Sequence, residues 1–368
     1  MTARVLVNLL WCVPGGVGGS EEYLVRQLLG LGEQPERPWA LQVAAARGLP
    51  AAHPELATVA EVTEPDFESH GRARRVLGEV TWLRRHTRGV DLVHHGGGTA
   101  PLGAHRPYVL TIHDLQFLTY PQYFSRLKRT YLRTVIPPSA RRAAVVAVPS
   151  HYVRDRVVAA YGVPEHRVHV VPHGIEPALA GEVTPADELR ARYSLGDGPV
   201  VVYPAITHPH KRHDFLLQMM RDHWRDPDLR LVLTGGKGLA DESVTAACTD
   251  PRVRRLGRVP AADRNGLLAM ADALVFPSEY EGFGAPLIEA MTLGCPVVAS
   301  DATCVPQVVG DAGLVRPLSA EAWSGVLDEA RERRTELVAA GLRRAAGFTS
   351  QVSGAALSAA YAAALGRA

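Results

Sequence analysis

The feature that most constrains this chain is an alternation, run twice, of short β-rich runs with segments whose apolar residues recur at helical spacing. The first series reads RVLVNLLW, the helical EEYLVRQLLGLG, WALQVAAA, the helical RRVLGEVTWLRRH and DLVHHGG. It continues with PYVLTIHD, the helical RLKRTYLRTVI, AVVAVPS, the helical HYVRDRVVAAYG and RVHVVPHG. Such an order predicts a parallel sheet wrapped by helices. After a polar Gly/Pro stretch at 195–199 the pattern restarts with PVVVYPA, LRLVLTGG, VRRLGRV, ALVFPS, PVVAS and GLVRP, with helices between, and two helices close it. The expected fold class is therefore α/β, two Rossmann-like domains in tandem, with a boundary within 171–176. A length of 368 residues suits two domains. The alanine-rich segment 354–365 follows the second sheet and is free to pack on either domain.

Hydrophobic residues at 46% and charged residues at 21% exclude a disordered, collagenous or coiled-coil chain. No apolar run approaches the roughly 20 residues of a membrane-spanning helix. The opening MTARVLVNLLWCV leads into GGVGGSEE rather than a small-residue cleavage site, so it reads as a first strand, not a signal peptide. Four scattered cysteines, Cys12, Cys248, Cys295 and Cys304, form no disulfide framework and suit reduced cytosolic thiols. The net charge of +2 conceals an asymmetry: residues 1–175 hold 20 Lys+Arg against 14 Asp+Glu, and residues 176–368 hold 20 against 24. A basic first half favours a phosphate-bearing or anionic-lipid partner. Its arginines gather at Arg72, Arg74, Arg75, Arg84, Arg85 and Arg88, and again at Arg126, Lys128, Arg129 and Arg133; solvated helix faces are the plainer account.

In open α/β sheets ligands sit beyond the carboxyl ends of strands, where helix N-termini present free N–H groups. Motifs falling there rank first. Gly15, Gly16, Gly18 and Gly19 follow the first strand and open a helix, which allows close approach to a diphosphate or sugar, or simply a tight turn. The spacing is not GxGxxG, and no acidic residue ends the second strand, so a dinucleotide cofactor is not expected. The string FPSEYEGFGAPLIEA is the most specific in the chain. It places Glu281 on a loop at a helix start and Glu289 about one turn into that helix, two carboxylates suited to the vicinal hydroxyls of a sugar or ribose. His208, His210, Lys211, Arg212 and His213 follow the strand VVVYPA. The adjacent cations favour contact with an anion over a bound metal, with Lys211 where a departing diphosphate develops charge. The turn TGGKG, with Lys237, fails the pattern of a nucleotide-hydrolysing phosphate loop. Asp226 and Asp228 spell DxD at the wrong end of a strand. His113, closing YVLTIHD, suits a hydrogen bond to a substrate hydroxyl or a proton transfer near neutrality. His94 and His95, before three glycines, are weaker candidates for the same rim, and His173 shapes the crossing between domains.

Taken together, GGVGGSE, TIHD, VPHGI, HPHK, VRRLGRV and above all EGFGAPLIE with CPVVAS make a chain that resembles the GT-B glycosyltransferases of family 4 over nearly its whole length. The resemblance implies two Rossmann-like domains facing an interdomain cleft: an acceptor domain over 1–172, with helix 354–365 folded back on it, and a nucleotide-sugar domain over 173–353. It implies transfer of a hexose from a nucleotide diphosphate sugar to a hydroxyl, with retained anomeric configuration and neither metal nor other cofactor. Carried over, Glu281 holds donor-sugar hydroxyls, Gly282, Phe283 and Gly284 offer backbone N–H groups to the sugar, and Glu289 holds the ribose. Lys211 meets the diphosphate, His113 the sugar, and Arg258 and Val259 the base, while Gly16, Gly18 and Gly19 close over the phosphates. One departure matters: the family usually places an arginine five residues before the lysine, and here that residue is Ile206, which leaves Arg212 and Lys237 to neutralise the diphosphate. YPAITHPHK is similar to a subgroup with many mannosyltransferases, so GDP-mannose is the preferred donor. The expected acceptor is a glycan, a lipid-linked sugar or a small molecule. The expected place is the cytoplasm, with peripheral contact at the inner membrane face through the basic first domain, and no nucleic-acid partner. A sugar-nucleotide epimerase, a phosphorylase and a non-catalytic nucleotide-sugar-binding protein are the alternatives.

Overall fold

The computed structural model describes residues 2–367 except positions 17, 37, 69–70, 102, 106, 177–178, 180 and 182, and omits the side chain of Arg72. Val17 of the glycine-rich turn thus lies outside the described residues, as does the Arg72 side chain. The chain divides into two compact units, Met1–Gly174 with Thr349–Ala368, and Ile175–Phe348.

Seven parallel strands form the sheet of the first unit: β1 (Ala3–Leu9), β2 (Trp39–Ala45), β3 (Glu61–Thr63), β4 (Leu92–His95), β5 (Tyr108–Thr111), β6 (Val145–Val148) and β7 (Val168–Val170). Their order is β3-β2-β1-β4-β5-β6-β7, and β1 runs in register with β2 from Ala3 opposite Trp39 to Leu9 opposite Ala45. Both faces of such a sheet are covered, which explains strands written as unbroken apolar runs. Alternate residues serve different cores. Val5, Val7 and Leu9 pack with Leu24 and Leu28 of helix Gly19–Gly32 and with Leu357 of helix Ser350–Ala364. Leu6 and Leu10 pack with Leu83, Ile136, Ala140 and Val153 from helices Arg72–His86, Arg126–Arg142 and His151–Tyr161. Each such buried aliphatic side chain contributes about 1.5–3 kcal/mol. Among the described residues of the link between β4 and β5, 96–107, none is helical.

Two local features go beyond the sequence reading. The helix expected within RLKRTYLRTVI runs on through Pro137 and Pro138 to Arg142. Two prolines remove two intrahelical donors, but Ile136, Ser139 and Ala140 are buried there, and the Ser139 hydroxyl donates to the carbonyl of Val135 at 2.7 Å. The closing helix begins at Ser350, capped by the Thr349 hydroxyl, and packs in the first unit. It crosses helix Gly19–Gly32 where both chains carry glycine: a Cβ on Gly354 would lie 2.2 Å from the carbonyl carbon of Gly30, and one on Gly30 would lie 1.8 Å from the Ser350 oxygen.

The second unit holds six parallel strands: β8 (Val200–Pro204), β9 (Arg230–Thr234), β10 (Val253–Gly257), β11 (Ala273–Phe276), β12 (Val297–Ser300) and β13 (Leu314–Arg316). Their order is β10-β9-β8-β11-β12-β13. Strand order reverses between β1 and β4 in the first sheet and between β8 and β11 in the second, and chain connections diverge at such points to leave a crevice at the carboxyl ends. Among the described residues no helix is long and apolar enough to cross a membrane.

Candidate functional site

The reversal point of the second sheet brings together the two loops that the sequence singled out. The Lys211 ammonium, beyond β8, lies 2.5 Å from a carboxylate oxygen of Glu281, beyond β11. Both side chains are largely buried, 16% and 11% exposed, so their charges are weakly screened. The backbone around them is stitched. The Tyr203 hydroxyl donates to the Lys211 carbonyl at 2.8 Å and pairs with the Ser278 hydroxyl at 2.9 Å. The Glu279 amide donates to the His210 carbonyl at 2.8 Å, and the Glu281 amide to the Thr303 hydroxyl at 3.1 Å. Cys304 donates its thiol hydrogen to the Glu281 carbonyl at 3.3 Å, and burial pushes that thiol far above its ordinary range. A cation and a carboxylate are thereby held where a ligand carrying both phosphate and hydroxyls would take one each.

Next to Glu281 the chain turns into helix Ala285–Thr292 through Gly284, whose φ of 86° is a left-handed value that suits glycine. No side chain caps this helix, and Pro286 lies in its first turn. Its leading N–H groups and positive end face the loop of Gly282 and Gly284. Phe283 differs from its neighbours: its ring is buried, 5.5 Å from that of Phe348. Glu289 sits inside the helix and is buried.

The turn after β9 completes the rim of this sheet. Gly235, at φ 123°, approaches the Ala205 carbonyl so closely that a Cβ would lie 2.4 Å from its oxygen. The Gly238 amide donates to the Thr207 hydroxyl at 2.8 Å, and the Leu239 amide to His208 Nδ1 at 3.2 Å. Lys237 is thus tied beside the loop of Lys211, is exposed, and has no acidic partner among the described residues. Arg212 is occupied: its guanidinium pairs with Asp214, at 3.1 Å, and with Glu279. Between the two cations offered to replace the arginine missing at Ile206, Lys237 is the unneutralised one. The Arg258 guanidinium lies against Gly236, and Val259 beside it is half-buried. Burial, with Lys211 nearby, lowers His210 to about 3, and burial lowers His213 to about 4, so neither adds positive charge near neutrality.

In the first unit the glycine-rich turn is held from below. The Gly15 amide donates to Glu21 at 2.8 Å, and the other Glu21 oxygen meets His53 Nε2 at 2.9 Å. His53 Nδ1 meets Glu55 at 3.0 Å. Burial alone would lower the pKa of His53, but the two carboxylates outweigh it and raise it. Gly18, at φ 62°, opens helix Gly19–Gly32 without a side-chain cap, and a Cβ on Gly18 or Gly19 would meet nothing within 4 Å among the described residues. Gly16 is exposed as well, its amide donating to the Val13 carbonyl at 2.9 Å. His113, beyond β5, bonds the Gly96 carbonyl through Nε2 at 2.8 Å, its ring 5.4 Å from Trp11 and 5.5 Å from Tyr23. That bond assigns the hydrogen to Nε2. Nδ1 is buried with no partner among the described residues, and burial lowers the pKa. His113 is therefore a neutral imidazole whose Nδ1 lone pair is buried.

One reading of the sequence changes. His94 and His95 do not line a rim: β4 is an interior strand buried along its length. His94 is enclosed between the Tyr361 hydroxyl at 2.8 Å and the Thr111 hydroxyl at 2.7 Å, His95 meets Asn8 at 3.2 Å, and burial lowers both to about 3. His173 stacks on Tyr23 at 4.1 Å within the first unit. The Glu21–His53 pair escaped notice altogether, because a lone histidine before proline carries no periodic signal.

Residues 17–179 match the model of Glycosyltransferase Family 4, and residues 198–333 that of Glycosyl transferases group 1. The chain belongs to the GT-B glycosyltransferases of family 4. It is 31% identical over 238 residues to the O-antigen chain mannosyltransferase B of Escherichia coli, covering 61% of each chain. It is also 31% identical over 192 residues to the GDP-mannose-dependent alpha-(1-6)-phosphatidylinositol monomannoside mannosyltransferase of Mycolicibacterium smegmatis, covering 49% of this chain and 50% of that one. Matches to the curated relatives span about three-fifths of their length. Among solved structures, Anabaena Alr3699/HepE in complex with UDP and glucose superposes with a TM-score of 0.74 over 98% of this chain and 99% of that one, at 19% identity, a likeness of fold.

Proposed function

We propose that this family 4 protein is a retaining glycosyltransferase that moves a hexose from a nucleotide diphosphate sugar, GDP-mannose by preference, to a hydroxyl of a glycan, lipid-linked or small-molecule acceptor. The Lys211–Glu281 pair at the reversal point of the second sheet carries this reading. A carboxylate that accepts from sugar hydroxyls beside an ammonium that attracts phosphate matches the two ends of the bond to be broken. The preference for mannose rests on relatives named as mannosyltransferases, one of them GDP-mannose-dependent.

In the proposed reaction the bond from the anomeric carbon to the diphosphate oxygen breaks with its electron pair on the diphosphate. The acceptor oxygen forms the new bond on the same face, and its proton passes to the departing oxygen. Lys211, Lys237 and the amides of Gly282 and Gly284 stabilise the growing negative charge without a metal ion. Glu281 orients the sugar, Glu289 the ribose, and Arg258 and Val259 flank the base.

Nucleotide release from a panel of nucleotide sugars, with an acceptor mixture, tests this reading. Removing one preorganised group at a reacting centre costs about 10²–10³ in turnover, so Glu281→Gln should fall by that factor while its circular-dichroism spectrum shows the fold retained, with a lower melting temperature because Lys211 loses its buried partner. Added chelator should leave the wild-type rate unchanged. Undiminished transfer by Glu281→Gln, or binding of nucleotide sugar with no release in any acceptor mixture, would sink the proposal.

A further inference from the structure

Among the described residues three that are not glycine hold a left-handed φ: Ser194 at 54°, Arg212 at 52° and Thr303 at 55°. Ser194 ends helix Ala186–Tyr193, and Arg212 opens helix His213–Asp222. Thr303 is the one with a branched Cβ, for which this conformation is a genuine outlier. It stands in the turn that follows β12, closed by the Val305 amide on the Ala302 carbonyl at 3.1 Å. Cys304 next to it has φ −83° and ψ −9°, values that, with the φ of Thr303, match a type II′ turn. The second position of such a turn usually falls to glycine, asparagine or aspartate. Threonine is strained there, and residues so strained cluster at active sites and ligand clamps.

The Thr303 hydroxyl accepts from the Glu281 amide at 3.1 Å, and Cys304 donates its thiol hydrogen to the Glu281 carbonyl at 3.3 Å. Two successive residues thus grip both polar groups of the Glu281 backbone. Cys304 is fully buried, which anchors the turn. Glu281 belongs to neither helix nor strand, so no regular ladder fixes it. The loop of Lys211 is held by Tyr203 on β8, whereas Glu281 is held from β12, on the other side of β11. Glycine in place of Thr303 would relax the turn and leave the Glu281 amide without this acceptor. The hydroxyl is what glycine cannot supply.

We propose that Thr303 is a positioning residue: its hydroxyl sets the backbone of Glu281 and, through it, the angle at which the Glu281 carboxylate meets Lys211 and the sugar. This rests on the proposed role of Glu281 in orienting the sugar. Steady-state release of GDP from GDP-mannose by the full chain, in an acceptor mixture, tests it. Thr303→Val keeps the branched Cβ and loses the hydroxyl. A misplacement on the order of 1 Å at a reacting centre costs up to about 10²-fold, so kcat of this variant should fall about tenfold with KM changed less than about twofold. Thr303→Ser, which keeps the hydroxyl, should turn over as wild type does.

Thr303→Gly separates positioning from stability. It removes the strain together with the hydroxyl, so it should melt above Thr303→Val and yet turn over as slowly. A merely structural role would return turnover along with stability. In a Glu281→Gln background Thr303→Val should lower kcat less than about twofold further, because both changes act through one carboxylate. Wild-type kcat in Thr303→Val or Thr303→Gly overturns the inference while the role of Glu281 stands. So does a Thr303→Ser protein as slow as Thr303→Val, or a further loss of about tenfold in the double variant. Undiminished release by Glu281→Gln, or no GDP from wild type, removes the role of Glu281 and the inference with it.

Discussion

Alanine in place of Gly354 decides whether the glycine-to-glycine crossing in the first unit is a built contact. In the middle of a helix this exchange ordinarily stabilises by up to about 1 kcal/mol, because glycine loses more backbone freedom. Here the added Cβ would lie 2.2 Å from the Gly30 carbonyl carbon, 2.3 Å from the Leu31 nitrogen and 2.4 Å from the Gly30 oxygen. All three are backbone atoms of helix Gly19–Gly32, so no side chain can swing away, and the two helices must part by roughly 1 Å to reach normal contact. Overpacking of this kind costs about 1–3 kcal/mol. Parting also strains the 2.8 Å bond from the Trp39 indole to Ser358 and the 2.8 Å bond between Tyr361 and His94, each worth about 1 kcal/mol. The clash outweighs the propensity gain, and the net loss is about 1–3 kcal/mol. For a unit of this size that lowers the melting temperature by roughly 2–10 °C. Scanning calorimetry reads the shift directly, and Gly30→Ala should behave alike. A Gly354→Ala protein as stable as wild type, or more so, would refute the packing argument.

Two further outcomes follow from the site. His53 has a folded pKa raised above its ordinary value near 6.5 by Glu21 and Glu55. A raised value means that the protonated form is favoured on folding, so this stabilisation is complete below about 6.5 and is lost as pH rises through the folded value. The melting-temperature gap between wild type and His53→Gln should therefore narrow from about pH 6 to about pH 8.5, and a gap that widens would show the sign to be wrong. Lys237→Ala should raise KM for the nucleotide sugar about tenfold and leave the melting temperature unchanged, whereas Arg212→Ala, whose guanidinium is already taken by Asp214 and Glu279, should act mainly on stability. Steady-state kinetics of the two variants separates the roles, and an unaffected KM in Lys237→Ala would remove that cation from the site.

The architecture was legible because parallel strands buried on both faces are written as continuous apolar runs, and both series of runs stand in the sequence. The meeting of Lys211 and Glu281 was legible for a related reason: each closes a strand at its carboxyl end, and the two strands, β8 and β11, flank the reversal point. What escaped depended on enclosure rather than on order along the chain. His94 and His95 read as rim residues because three glycines follow them, yet β4 lies between β1 and β5 and their rings are enclosed. Pro137 and Pro138 argued for a helix end, but burial of their neighbours carried the helix on.

The return of helix Ser350–Ala364 to the first unit has a temporal consequence for a chain made from its N-terminus. Leu357 and Tyr361 of that helix complete one face of the first sheet, and they leave the ribosome only after the whole of Ile175–Phe348 has been made. At about 5–20 residues per second, the nascent sheet waits on the order of ten to thirty-five seconds with the apolar surface around Leu24 and Leu28 uncovered. The second unit, contiguous in sequence, has no such delay, so it can finish folding while its elder sibling still lacks a wall.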